Sequence, residues 1–340
     1  MSVPGLDILF LSKEDVDAVD LGLQEVMDAV EVGLRAHGEG RVVMPSKDHL
    51  ALDRSERHWN ILKGYVEPID VAGVKVIGDF EGNYRVGLPS ELALITLYRP
   101  DTGAPFAIVD GTLITWMRTG AVTAVGAKYL AGDRPRVLGH VGARGTAWYN
   151  VPMLDHLFDF EEIRVTSKRP ESRERFAARM SEQLGKPVLV KESVHETVRD
   201  ADIIIDASRL VAPEVLIEDA WVKPGALIQP YGVEQSVEST LPLSVDKLVV
   251  DDWNQCQKSE YGQFAGMIRA GALRTEHVHG EIGQVVAGRK PGRESPRERI
   301  LFWHKGFAIS DIVVGHLAYE KARAKGIGTL LSYYRKPRDM

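Results

Sequence analysis

The chain has a single cysteine, Cys256, in 340 residues. That excludes an intramolecular disulfide framework and any metal site built on several thiolates. Its ten histidines show no H-E-x-x-H or comparable spacing, so no metal is expected. There is no run of about eighteen uncharged apolar residues, so no membrane span is expected. The leading "MSVPGLDILFLSKEDVD" lacks the basic-then-apolar layout of a secretion signal, which makes the cytoplasm the expected compartment. Positive charge is also in deficit: 42 Lys and Arg face 48 Asp and Glu, a net charge of −6, and the basic residues are scattered. That is not the electrostatic footprint of a nucleic-acid binder, so small molecules are the expected ligands.

What the sequence does contain is apolar material for ordinary cores, 44% of residues, and length for about two domains at roughly 100–200 residues each. In the leading part, "KEDVDAVDLGLQEVMDAVEVGLRAH" carries apolar residues at helical spacing. Ser12 stands three residues before Asp15, an aspartate version of the capping box. The runs "AGVKVIGDF", "ALITLYRP" and "PFAIVDG" follow, the last two separated by the turn Asp101-Thr102-Gly103, and predict an antiparallel or mixed sheet. After about Thr119 the texture changes. "GAVTAVGAKYLAG" predicts a small-residue helix, and the strands "VLGHV", "EIRVTS", "VLVK", "ADIIIDAS", "GALIQPYG" and "KLVVDD" then alternate with helices. Strands that are apolar almost throughout and separated by helices predict a Rossmann-type, doubly wound parallel sheet covered on both faces. From about Ile300, "ILFWHKGFAISDIVVGHLAYEKARAKG" predicts a strand and a long helix returning to the leading domain, and the breaker-rich "GRKPGRESPRE" predicts a boundary.

The stretch "RVLGHVGARGTAWYN" follows the pattern of a dinucleotide-binding turn, with an apolar strand before it and a helix after it. Gly142 and Gly145 are available for the tight turn and the close backbone approach to a pyrophosphate, with Ala143, Arg144 and Thr146 beside them and Ala147 as the small residue at the helix start. Arg144 stands where such turns usually have their middle glycine. The end of the next strand is Ser167-Lys168-Arg169, with no acid to bond an adenosine ribose. Hydroxyl and basic groups there suit a 2′-phosphate, so NADP(H) is the favoured cofactor and NAD(H) the alternative. Arg144 then reads as a further cation beside that phosphate.

The stretches "AGVKVIGD", "GNYRVGLPS", "DTGAPFAIVDGTLITWMRTGAVTAVGAKYLA", "ADIIIDAS", "VKPGALI", "LVVDDWNQCQ" and "GEIGQVVAGRKPGRES", with "FAISDI" beyond, together resemble the ornithine cyclodeaminase/mu-crystallin family over essentially the whole length. "VVDDWNQC" and "GEIGQVVAG" are most similar to the branch that includes amino-carboxyethyl-glutamate dehydrogenases. The resemblance implies an NAD(P)-dependent amino-acid dehydrogenase or imine (ketimine) reductase, moving hydride between a nicotinamide and the α-carbon of an amino or imino acid, and a homodimer. Within the same family the alternatives are an ornithine-cyclodeaminase-type ammonia lyase and a binding protein like mu-crystallin that holds NADPH and a small ligand. The implied organisation is an α/β chain in which residues 1–118 with 306–340 form a discontinuous α+β domain for substrate binding and dimerisation, and 119–305 form the dinucleotide-binding domain.

Lys75 lies mid-strand in "GVKVIG", where a buried ammonium needs an anionic partner. The resemblance makes it a catalytic residue that binds the substrate carboxylate. Arg118, in "MRTGAVTA" just before the small-residue helix, can grip a carboxylate through two parallel hydrogen bonds and matches the family's substrate-binding arginine; an ion pair within the core is the alternative. Lys47, in "MPSKDH", stands where many members have a carboxylate-binding arginine, and it would replace a fork by a point charge. Glu234, in "PYGVEQ", occupies the place of a proton-shuttling aspartate, against the alternative of an exposed loop carboxylate. Asp311, in "FAISDI", matches an aspartate near the nicotinamide, against the alternative of a helix N-cap. Thr119 and Thr123 are expected at the nucleotide, and Ala207 and Ser208 join the cofactor-binding set. Asp79 and Glu81 are expected to face water. His304 and Lys305 replace small residues usual before Gly306 and receive no role.

Overall fold

The computed structural model describes residues 5–53, 57–210 and 212–335. The chain divides into two compact units, one of Met1–Ala36, Gly40–Arg118 and Phe307–Met340, the other of His37–Glu39 and Thr119–Gly306.

The first unit is built on an eight-stranded mixed sheet. Its order is Thr329–Tyr334, Leu6–Leu11, Pro105–Asp110, Glu91–Tyr98, Val71–Phe80, Arg57–Val66 and Val42–Val43, with Asp48–Asp53 also paired to Arg57–Val66. Only the pairing of Leu6–Leu11 with Pro105–Asp110 is parallel; the others are antiparallel. Along Val71–Phe80 the strand period of two puts Val71, Gly73, Lys75 and Ile77 on the buried face. The helix Ala308–Lys325 covers that face. A Cβ on Gly73 would lie 2.8 Å from Ile312, so the bare backbone lets this helix settle close to the sheet. Ser12 and Asp15 form the expected reciprocal cap of helix Lys13–Val19. The long helical pattern is, however, two helices, because Asp20 turns left-handed (φ 55°) and the second begins at Leu23.

The second unit carries an eight-stranded sheet in which every neighbouring pair is parallel. Its order is Val188–Val190, Glu162–Thr166, Val137–Val141, Ile203–Asp206, Leu227–Pro230, Ile300–Trp303, Lys247–Val250 and Val278–Glu281. Counted from Val137, the first five strands run 3-2-1-4-5, the doubly wound arrangement. Strand order therefore reverses beside Val137–Val141 and Ile203–Asp206, where such sheets bind ligands at their carboxyl edge. The small residues at the end of Gly111–Leu130 serve close packing, since a Cβ on Gly126 would lie 2.5 Å from the Phe302 ring.

Three expectations change. The helix containing Arg118 starts at Gly111, so Arg118 lies within it. The polar "GRKPGRESPRE" loop is not a boundary but part of the second unit, tied down by Lys247, whose ammonium donates to Gly292 O at 2.6 Å and to Glu294 at 2.7 Å. Finally, "VHGE" forms an edge strand that its mixed polarity had hidden.

Candidate active site

In the first unit, the burial of Lys75 is matched by a buried acid. Its ammonium donates to Asp311 Oδ1 at 2.7 Å and to Thr115 Oγ1 at 3.3 Å. Arg118 Nε donates to the same Asp311 oxygen at 2.8 Å. Thr115 and Arg118 are three residues apart on one helix and so share a face, while Lys75 reaches them from the sheet. All three charged groups are buried, and Asp311 Oδ2 has no hydrogen-bond partner. The three hydrogen-bonded groups, two cations and one carboxylate, carry one positive charge in excess among themselves, and the Glu91 carboxylate acts on Lys75 from outside the bonded group. Burial pulls Lys75 down to about 8, Asp311 draws it back up, and Arg118 pushes it further down. Asp311 is not an N-cap: Phe307 holds that position, and Asp311 sits in the first turn.

Lys47 is half-buried beside Asp48, which pairs with Ile61; the next residue of that strand, Leu62, is the partner of Lys75. Asp79 is half-buried with its carboxylate 3.8 Å from His58, and the Glu81 side chain lies outside the described residues.

In the second unit, the glycine turn has the backbone that a nucleotide turn needs. Gly142 has φ 110° and Gly145 φ 53°, both in the region that favours glycine. Gly142 N donates to Thr166 O at 2.8 Å, and a Cβ on Gly142 would lie 2.7 Å from Ala207 O, so Gly142 sits where three strand ends converge. The helix Ala147–Phe158 starts here, with Thr146 as its N-cap. A second left-handed glycine, displaced by one position, thus makes up for the arginine at 144. Arg144, Lys168 and Arg169 are exposed, Ser167 is half-buried, and Ala207 and Ser208 are half-buried. The donors and the cradle fit a dinucleotide: backbone N–H groups at a helix start for the pyrophosphate, and cations at the end of the second strand. Thr119 and Thr123 are buried, and Thr123 Oγ1 is committed internally, donating to Thr119 O at 3.0 Å with His304 Nε2 3.1 Å away.

Glu234 is also in the second unit and is 2% exposed, which removes the loop-carboxylate alternative. One oxygen accepts from the backbone N–H groups of Ser236 and Val237, both at 2.7 Å; the other oxygen is buried without a partner. Burial raises its pKa to about 7, opposed by those N–H groups and assisted by Asp206. Asp206 is itself raised by burial and accepts from the Ser236 hydroxyl. Sequence reasoning missed Asp206, Ser236 and Thr115. The signal for Asp206 was there: an acid ending the apolar run Ile203-Ile204-Ile205. Lys305 is buried too; its backbone N–H and that of Gly306 donate to Asp251 at 2.6 and 2.8 Å, and burial lowers its ammonium pKa.

A profile of the ornithine cyclodeaminase/mu-crystallin family matches residues 7–326. The chain belongs to that family. It is 31% identical over 335 residues to an alanine dehydrogenase of Archaeoglobus fulgidus, covering 97% of this chain and 100% of the relative. It is 29% identical over 338 residues to an N-((2S)-2-amino-2-carboxyethyl)-L-glutamate dehydrogenase of Staphylococcus aureus, covering 96% and 99%. Among solved structures it resembles the Thermococcus litoralis Delta(1)-pyrroline-2-carboxylate reductase in complex with NADH and L-proline, with a TM-score of 0.89, 32% identity, and coverage of 95% of this chain and 99% of that one. These relatives are oxidoreductases, and the chain is an oxidoreductase of the same family. Among the described residues no helix is long and apolar enough to cross a membrane.

Proposed function

We propose that the chain is an NADP(H)-preferring amino-acid dehydrogenase or imine reductase whose first unit holds the substrate carboxylate and whose second unit holds the dinucleotide. The observation that carries this reading is the Lys75–Asp311–Arg118 cluster, in which two buried cations share one carboxylate oxygen. A buried excess charge is costly unless an anion joins it, and an amino or imino acid brings that anion. A bound nicotinamide supplies or accepts the hydride at the substrate α-carbon. Lys75 and Arg118 orient the substrate through its carboxylate, Lys47 adds a third cation on that unit, and Asp311 keeps the two first cations in place. Glu234 moves the proton at the substrate nitrogen, a task suited to a carboxyl whose pKa lies near neutrality. NADP(H) preference rests on Ser167, Lys168 and Arg169 at a strand end that has no acid.

The deciding experiment offers purified protein NADPH or NADH with 2-oxo acids plus amines, and with cyclic imino acids, and follows the reduced nicotinamide. Net oxidation with a carboxylated substrate supports the reading. Tight dinucleotide binding with no turnover on any substrate would favour a binding role like that of mu-crystallin, and ammonia release from a diamino acid without net cofactor change would favour a cyclodeaminase.

We further propose that the first unit pairs with a second copy. Leu50, Val76, Leu92 and Leu94 are exposed, and strand register sets them on one face of the sheet. Exposed apolar side chains gathered on one sheet face are the kind of surface that marks an interface. Light scattering should give twice the chain mass, and Leu92→Glu with Leu94→Glu should give the single-chain mass. A single cysteine, Cys256, buried and in no disulfide, suits a reducing compartment, and the cytoplasm is the compartment proposed.

A further inference from the structure

The second unit contains a chain of buried and half-buried polar side chains that leads to the glycine turn, and chemistry fixes the direction of every hydrogen bond in it except the last, between Tyr231 and Thr146. His140 is wholly buried in the strand leading into the turn. Its Nδ1 lies 2.9 Å from Gly142 O, and a carbonyl oxygen only accepts, so Nδ1 carries the hydrogen. Burial holds this ring neutral, with its pKa down at about 4, so Nε2 has a lone pair to offer. Asn150 Nδ2 lies 3.2 Å from that Nε2 and 3.2 Å from the Tyr231 hydroxyl, and so donates one hydrogen to each. The reversed amide would turn its oxygen toward a nitrogen without a hydrogen. The Tyr231 hydroxyl also contacts Thr146 Oγ1 closely, and either hydroxyl can be the donor of that bond. Thr146 is the N-cap of Ala147–Phe158, yet its side chain makes no capping bond. His304 stacks on the Tyr231 ring, with centroids 5.1 Å apart and planes 29° from parallel, and holds the ring in place.

We propose that Tyr231 is a positioning residue for the dinucleotide: held by Asn150 and His304, it donates to Thr146, which turns the threonine's own hydrogen outward from the glycine turn as a donor to the pyrophosphate. Resting on the dinucleotide site proposed above, this assigns His140, Asn150, Tyr231 and His304 a shared task that the glycine motif does not express. An anion offers no hydrogen of its own, so a threonine whose oxygen accepts from the phenol meets it through its own O–H, without reorganisation.

The test is direct binding of NADPH and NADH to Tyr231→Phe, Thr146→Val, Thr146→Ser and the Tyr231→Phe/Thr146→Val pair, with adenosine as a competitor lacking phosphate. Thr146→Val should weaken the tighter dinucleotide about tenfold and Tyr231→Phe about threefold, as expected for one bond to a charged group and for its orientation. The double variant should bind no more weakly than Thr146→Val, Thr146→Ser should bind like the parent, and adenosine affinity and the melting temperature without ligand should not change. The proposal is overturned if Tyr231→Phe binds as the parent does, if the two losses multiply, or if adenosine binding falls in step. Should Tyr231→Phe fail to fold, equal affinities for Thr146→Ser and Thr146→Val would overturn it. Failure of the parent chain to bind either dinucleotide would instead overturn the functional reading itself.

Discussion

Each unit buries a small group of charged residues at its candidate site, and the two groups are built in opposite ways. Lys75 and Arg118 both pair with Asp311, with one cation to spare; Glu234 and Asp206 are two acids with no cation bonded to either among the described residues. The same force, desolvation, acts on both and pushes in opposite directions, bringing Lys75 down to about 8 and Glu234 up to about 7. The difference separates two tasks. A group that stays charged at neutral pH can hold an anion, whereas one balanced between its protonation states can carry a proton.

The comparison breaks first at Glu234. Glu234→Gln keeps the acceptor for Ser236 and Val237 but cannot titrate, and kcat should fall about 10²–10⁴-fold with little change in dinucleotide affinity. The same variant should be more stable than the parent at pH 8. Since its folded pKa is about 7 against an ordinary 4.5, the folded chain keeps a proton that the unfolded chain releases. The stability contributed by Glu234 therefore falls as pH rises between those values, and the full penalty is present above 7. Thermal unfolding at pH 5 and pH 8 checks this: the advantage of Glu234→Gln should be small at the lower pH and larger at the higher.

The paired cluster should respond in binding. Arg118→Lys removes the fork while keeping the charge, and KM for the carboxylated substrate should rise about a hundredfold, with a smaller change in kcat. The two clusters should also mark opposite limbs of one pH profile for amino-acid oxidation. kcat/KM should rise through about 7 as Glu234 becomes a base and fall above about 8 as Lys75 loses its proton, and Glu234→Gln should abolish only the rising limb. The smallest effect lies at the exposed cations. Lys168→Ala with Arg169→Ala should weaken NADPH about tenfold and leave NADH nearly unchanged, measured by fluorescence titration; equal losses would refute the 2′-phosphate assignment.

Much of this was legible in the residues. The apolar strands alternating with helices announced a doubly wound sheet, and Lys75 was conspicuous as one ammonium in the core-facing half of a strand. What remained hidden depended on distance along the chain. Asp311 lies 236 residues from Lys75, and no local pattern tells that one carboxylate would serve both Lys75 and Arg118. The burial of Glu234 was hidden, leaving an exposed loop acid as the alternative, because the bonds that hold it come from backbone N–H groups, which every sequence has. The helix break at Asp20 was concealed because the apolar spacing continues past it, and only the left-handed backbone there ends the first helix. Tyr231, Asn150 and His140 carried one faint signal, a histidine inside the apolar strand "VLGHV".

The most direct measurement of the central claim compares one imino acid with its carboxamide, each supplied with NADPH and parent protein, by the rate of nicotinamide oxidation. Turnover with the acid and loss of at least about a hundredfold in kcat/KM with the amide is the predicted result, because the excess positive charge of the Lys75, Arg118 and Asp311 group would then meet no anion. Equal rates for acid and amide would contradict it.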